Sequence, residues 1–108
     1  MHSFLSVVHL KKSNDVLWFD EFDPEYALKG QELWEKNNIK CKRIFINENE
    51  YIAEFLFFDL DHYNDFHNFY LHTPENLTRT IYNNKSNIEW TRIYLGPKNQ
   101  YPNLYKIF

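Results

Sequence analysis

The residues most able to do chemistry are the polar and amphipathic ones set inside apolar runs: His9, Arg43, Glu54, Trp90, Arg92 and Tyr94. An imidazole such as His9 titrates near neutral pH and can take or give a proton. A carboxyl such as Glu54, held in an apolar wall, is pushed toward its protonated form and becomes a usable acid. Arg92 can hold a carboxylate or enolate oxygen, and Tyr94 can donate to a carbonyl. His72 sits in Leu71-His72-Thr73-Pro74, where proline interrupts a helical pattern, and it can reach a cavity mouth from that break. The candidate catalytic set is therefore His9, Glu54, Arg92 and His72. The candidate ligand contacts are Trp90, Tyr94, Arg43 and Phe58. Each has a plainer alternative. Arg43 and Glu54 can be a cross-strand ion pair, His9 a half-exposed strand end, and His72 a polar residue near a helix terminus.

Other chemistry is disfavoured. His62, His67 and His72 are spaced by five, which scatters them around a helix, whereas helical ligand pairs favour i, i+3 or i, i+4. Asp59-Leu60-Asp61-His62-Tyr63-Asn64 lacks the glycine of a calcium loop. The single cysteine, Cys41, excludes an internal disulfide and reads as a small hydrophobe on a strand. With two glycines in the chain, a phosphate-cradling loop is not expected, and neither a nucleotide cofactor nor a metal is predicted.

These residues need elements to position them. Positions 3–11 are rich in β-formers and predict a strand, with Phe4, Ser6, Val8 and Leu10 on one face and Leu5, Val7, His9 and Lys11 on the other. Positions 12–22 connect, with Val16–Phe19 expected to cap one end of the sheet as a helical turn. Asp23-Pro24 opens a helix that stops at Asn37-Asn38. Tyr26, Ala27, Gly30, Leu33 and Trp34 lie on its inner side. Positions 39–46 and 51–58 predict a hairpin. If Ile46 lies opposite Tyr51, then Arg43 lies opposite Glu54. A second helix is expected from an Asp61 cap, with Tyr63, Phe66, Phe69 and Tyr70 inward. It restarts at Thr73-Pro74, with Leu77 and Ile81 continuing inward at i, i+4. The last strand, 88–95, places Trp90, Arg92 and Tyr94 on one face.

The order β-α-β-β-α-β is the ferredoxin-like pattern, an α+β fold with two helices on one face of an antiparallel sheet. The run 51–58 is apolar on both faces, and an antiparallel sheet with one wet face should alternate. Helices on one side cannot cover both faces, so a second copy is the expected cover, giving a dimeric barrel. The whole chain, 1–108, reads as one domain, with a core at 3–96 and an aromatic tail, 97–108, that is expected to dock on something.

Composition narrows the partners. Aromatic residues make up 19% of the chain, which favours pockets and interfaces. The net charge of −3 and the lack of a basic block argue against nucleic acid. No apolar run is long enough to span a bilayer. The N-terminal segment lacks the basic start and apolar region of a signal peptide, so a cytoplasmic location is the expectation.

The element order and Phe69-Tyr70-Leu71-His72-Thr73-Pro74-Glu75-Asn76-Leu77 resemble the dimeric α+β barrel superfamily. That group includes antibiotic-biosynthesis-monooxygenase-type, ethyl-tert-butyl-ether-degradation-type and stress-responsive barrel proteins. Asn76 stands where many members have a second histidine. The resemblance implies a homodimer with small-molecule binding or chemistry in the barrel interior, often on aromatic compounds and often without a cofactor. The expected function is thus a cavity-binding barrel, with cofactor-independent oxygenation, cyclisation or isomerisation as its enzymatic form. The alternative is a non-catalytic interaction module that uses the aromatic sheet face. A heme-degrading barrel comes third, without a clear axial histidine.

Overall fold

The computed structural model describes residues 3–101. Among these residues the elements run β1 (Phe4–Lys11), α1 (Phe19–Phe22), α2 (Pro24–Lys36), β2 (Lys40–Asn47), β3 (Glu50–Phe57), α3 (Leu60–Tyr70), α4 (Pro74–Lys85) and β4 (Glu89–Pro97), followed by a short 3₁₀ turn at Lys98–Gln100. The four strands form one antiparallel sheet in the order β2-β3-β1-β4, the ferredoxin-like arrangement. No helix among the described residues is long and apolar enough to cross a membrane.

Local chemistry sets the helix boundaries. Asp23 caps α2 by accepting from the Tyr26 N–H at 3.1 Å, and Pro24 takes the first helical position. At the other end Asn37 Nδ2 donates to the Leu33 carbonyl, and Asn38 adopts φ 61°, a left-handed conformation that asparagine tolerates. Helix α3 starts earlier than expected. Its cap is Asp59, whose Oδ1 accepts from the His62 N–H at 2.8 Å; Asp61 lies inside the helix. The α3–α4 break falls where proline predicts it, with Thr73 Oγ1 accepting from the Asn76 N–H.

The helix-facing side of the sheet carries Phe4, Ser6, Val8 and Leu10 of β1 beside Phe57, Phe55, Ala53 and Tyr51 of β3. Two apolar clusters cover it. Phe4, Phe57, Trp34, Ile39, Tyr63 and Phe66 make one. Val8, Leu10, Tyr51, Ala53, Trp18 and Ile88 make the other. Trp18 meets Tyr51 edge-on at 4.7 Å and donates its indole N–H to the Glu48 carbonyl at 2.9 Å, so the connector does close one end of the sheet.

Two register shifts change which residues share a face. In the β2–β3 hairpin the Asn47 side chain accepts from the Asn49 N–H at 2.8 Å and tightens the turn to Glu48-Asn49. Asn47 faces Glu50, which by itself keeps the expected register, but Ile46 is then left as an extra residue, so that Phe45, not Ile46, lies opposite Tyr51. A one-residue slip exchanges the faces. Arg43 therefore lies opposite Ala53 and faces the helices, while Glu54 lies opposite Lys42 on the other side. The expected Arg43–Glu54 pair does not form. In β4 the register shifts between Val7 and Val8, leaving Ile93 as an extra residue. Trp90 and Arg92 lie on the helix-facing side, and Tyr94, opposite Val7, is turned away from them.

The side of the sheet away from the helices is not bare. Leu5, Val7 and Ile52 are buried there, with Leu56, Ile93, Tyr94 and Tyr101 packed against them. Tyr94 stacks on Tyr101 at 5.1 Å and donates its hydroxyl to the Pro97 carbonyl at 2.5 Å. The chain thus supplies part of the cover that the sequence assigned to a second copy. The rest of the aromatic tail, 102–108, lies outside the described residues.

Helix α4 departs most from expectation. Leu77 and Ile81 are 50% and 58% exposed, and the helix buries none of its residues. Its inner stripe is Asn76, Arg79, Thr80 and Asn83, spaced i, i+3, i+4, i+7. α4 packs on α1 and α2. Tyr82 anchors it there, stacked on Phe22 at 4.5 Å with its hydroxyl donating to the Leu17 carbonyl at 2.6 Å.

Candidate functional site

Because α4 turns polar side chains inward, the layers do not close over the sheet. A cleft of about 450 Å³ remains between them. Its floor is Ser6 and Val8 of β1, Tyr51, Ala53 and Phe55 of β3, and Trp90 and Arg92 of β4; its walls are Phe66, His67 and Tyr70 of α3 and Asn76, Arg79 and Asn83 of α4. The size and the mix of aromatic surface with a few polar groups match a small-molecule site. A wider depression of about 750 Å³ lies beside the β2–β3 turn, but loop residues such as Lys12, Asn14, Glu48 and Asn49 make up much of its wall and no comparable aromatic lining converges there.

Behind the cleft, Asp20 of α1 joins two arginines from different elements. Its Oδ1 accepts from Arg79 Nη2 at 2.9 Å and its Oδ2 accepts from Arg43 Nη1. Burial pushes the Asp20 carboxyl up, but the hydrogen bonds and charges of Arg43 and Arg79 together outweigh it and hold the group below its ordinary range. Each guanidinium also lies against rings: Arg79 over Phe19 at 4.8 Å and Trp34 at 5.9 Å, Arg43 over Tyr51 at 5.3 Å. Burial raises the Tyr51 and Tyr70 phenols above their ordinary value despite the arginine charges, so both remain hydrogen-bond donors at neutral pH. Arg92 lies over Trp90 at 5.4 Å and has no carboxylate partner among the described residues.

Of the residues proposed from sequence, the structure brings Arg43, Trp90 and Arg92 to this cleft. It does not bring the others. His9 lies on the opposite face, its Nε2 2.6 Å from Glu50 Oε2, and this contact holds the Glu50 carboxyl below its ordinary range. Glu54 is half-buried on that same far face, and Tyr94 is engaged there with Pro97 and Tyr101. Phe58 is 61% exposed and stacks on His62 at 4.6 Å. His72 is exposed at the helix break, outside the cleft lining.

Sequence reasoning missed Arg79, Tyr51, Tyr70, Asn76 and Asn83. The signal for three of them was present: Asn76, Arg79 and Asn83 form a helical stripe as regular as Leu77 and Ile81. Asp20 was passed over as part of a connector. His62 has a structural task. Its Nδ1 accepts from the Phe58 N–H at 2.9 Å, and its Nε2 lies 2.7 Å from the Asn37 carbonyl. The neutral Nε2–H tautomer satisfies both and ties the start of α3 to the end of α2. Among the described residues no cluster of His, Cys, Asp and Glu is arranged to hold a metal ion.

Compared with known proteins, the chain matches no family model, no curated protein and no solved structure at a significant level.

Proposed function

We propose that this protein binds a small, largely apolar organic compound in the cleft between its sheet and α3–α4, as a member of the dimeric α+β barrel superfamily. The observation that carries the reading is the orientation of α4. The helix gives the cleft Asn76, Arg79 and Asn83 and leaves Leu77 and Ile81 in water. A helix serving only to cover a sheet would be turned the other way.

The test is a screen of aromatic compounds against the full chain, read by the fluorescence of Trp34 and Trp90 and repeated with Thr80→Trp. Thr80 is exposed and lines the cleft, so a bulky ring there obstructs the opening without entering the core. Binding to the native chain and loss of binding in a folded Thr80→Trp protein are the expected results. No binding, or equal binding by both proteins, would refute the reading.

The enzymatic form of the proposal is cofactor-independent oxygenation, cyclisation or isomerisation of the bound compound, with Arg92 retained from the sequence set and Tyr51 and Tyr70 as donors to its oxygens. Its test is turnover in air with no added cofactor. Homodimer formation through the far sheet face belongs to the same proposal, and sedimentation equilibrium tests it. The rival reading, a protein-interaction module, draws support from exposed apolar residues on α3 and α4, among them Phe69, Leu77 and Ile81.

A further inference from the structure

The charge of the cleft is out of keeping with the chain around it. The protein is acidic overall, at −3, yet among the described residues Arg43, Arg79 and Arg92 line the cleft and neither aspartate nor glutamate does. Asp20, set behind Arg43 and Arg79, is shared between them. One carboxylate between two guanidiniums leaves a positive charge unneutralised, and Arg92 adds another. Guanidiniums beside apolar walls attract an anion more strongly than the same groups in open water.

We propose that the ligand of the cleft is an organic carboxylate with a flat aromatic body. This rests on the cleft-binding reading above and adds the charge and shape of what is bound. Arg79 is already held, with Nη2 on Asp20 and its guanidinium over Phe19 and Trp34, so it loses less side-chain freedom when a ligand binds it. A guanidinium fork matches a carboxylate with two parallel hydrogen bonds. Tyr51, Phe55, Phe66 and Trp90 supply flat surface for the ring system. A phosphate-bearing ligand fits less well. Neither Gly30 nor Gly96 is on the cleft, so a glycine-rich phosphate loop of the usual kind does not line it.

The experiment uses matched acid and amide pairs of one to three rings: benzoate and benzamide, 2-naphthoate and 2-naphthamide, 2-anthroate and its amide. Each is titrated into the full chain by tryptophan fluorescence, with amide NMR shifts to locate it and inorganic phosphate as competitor. The acid of at least one pair should bind about tenfold or more tighter than its amide. Arg92→Gln, at an exposed position with no carboxylate partner among the described residues, should remove most of that preference while leaving the fold intact. Arg79→Lys, which keeps the charge and loses the fork, should weaken the acid and not the amide. Equal affinity of acid and amide overturns the inference and leaves the cleft-binding reading standing. Displacement of the acid by phosphate at similar concentration overturns the choice of carboxylate. Binding of no member of any pair, or shifts confined to residues outside the cleft, overturns both.

Discussion

Replacing Asp20 by asparagine removes the charge that holds α1, β2 and α4 together, and the effect can be worked from the geometry. The carboxylate accepts from Arg43 and Arg79, and the side chains of Asp20, Arg43 and Arg79 are 33%, 26% and 17% exposed. A hydrogen bond to a charged group contributes about 1.5–3 kcal/mol when shielded. Partial exposure reduces that, and an amide oxygen can still accept from one guanidinium, so the net loss is about 2 kcal/mol. For a domain of this size that corresponds to a fall in Tm of about 7–10 °C. The pH dependence gives a second signature. The folded-state carboxyl lies below its ordinary value of 3.8, so its contribution is fully present above that value and is lost as pH falls through the folded-state value. The Tm gap between native chain and variant should be wide at pH 7 and narrow as the solution is taken below about pH 4. Thermal melts followed by far-UV circular dichroism from pH 7 to pH 3 measure both. A gap of less than about 2 °C at pH 7, or one that widens on acidification, would refute the reasoning.

Two further outcomes follow from the packing. Leu77→Lys and Ile81→Lys should each change the unfolding free energy by less than about 0.5 kcal/mol in urea, while Phe66→Ala on α3 should cost about 3–5 kcal/mol. A loss near 2 kcal/mol at Leu77 would mean that α4 is turned the other way in solution. At Gly96 an added Cβ would lie 2.9 Å from the Tyr94 hydroxyl. Gly96→Ala should therefore push Tyr94 off Pro97 and Tyr101, costing about 1–2 kcal/mol from one hydrogen bond and one ring pair. In a Tyr94→Ala background the same substitution should cost little, and an undiminished cost there would point to backbone strain instead.

Much of the fold was legible because the signals were local. Asp23-Pro24 and Thr73-Pro74 specify helix starts, and Asn38 a helix end, through groups within a few residues of one another. The faces of β1 followed from alternation alone, since nothing in 3–11 interrupts the pleat. What failed depended on single residues that shift a register. The extra residue at Ile46 shifted β2 by one position, and with that Arg43 crossed to the helix-facing side while Glu54 stayed on the other. The extra residue at Ile93 separated Tyr94 from Trp90 and Arg92 in the same way. Neither shift leaves a trace in hydrophobic periodicity, because both faces of these strands carry apolar residues. A sheet with one plainly polar face would have exposed the error. The expected mixed site is divided in this way: Glu54 and His9 keep the far face of the sheet, while Arg43, Trp90 and Arg92 line the cleft on the other.

Helix α4 was misread for a different reason, and it is the more informative case. Burying Leu77 and Ile81 would contribute about 1.5–3 kcal/mol each, so periodicity favours turning them inward. The helix is instead fixed by contacts along its length and at its start that oppose that rotation. Thr73 caps it, Arg79 reaches Asp20, and Tyr82 is held between Phe19 and Phe22 with its hydroxyl on Leu17. These contacts draw α4 toward α1 and α2 and away from β1 and β4. Turning Leu77 and Ile81 inward would fill the cleft and break each of the last three. The gain in burial is therefore opposed by an ion pair, two ring contacts and a hydrogen bond, terms of comparable total size. A helix that leaves its apolar stripe in water is a departure from the local rule, and such a departure is where a site that trades stability for binding should be sought. The stripe Asn76, Arg79 and Asn83 is the observation on which the proposed cleft site rests.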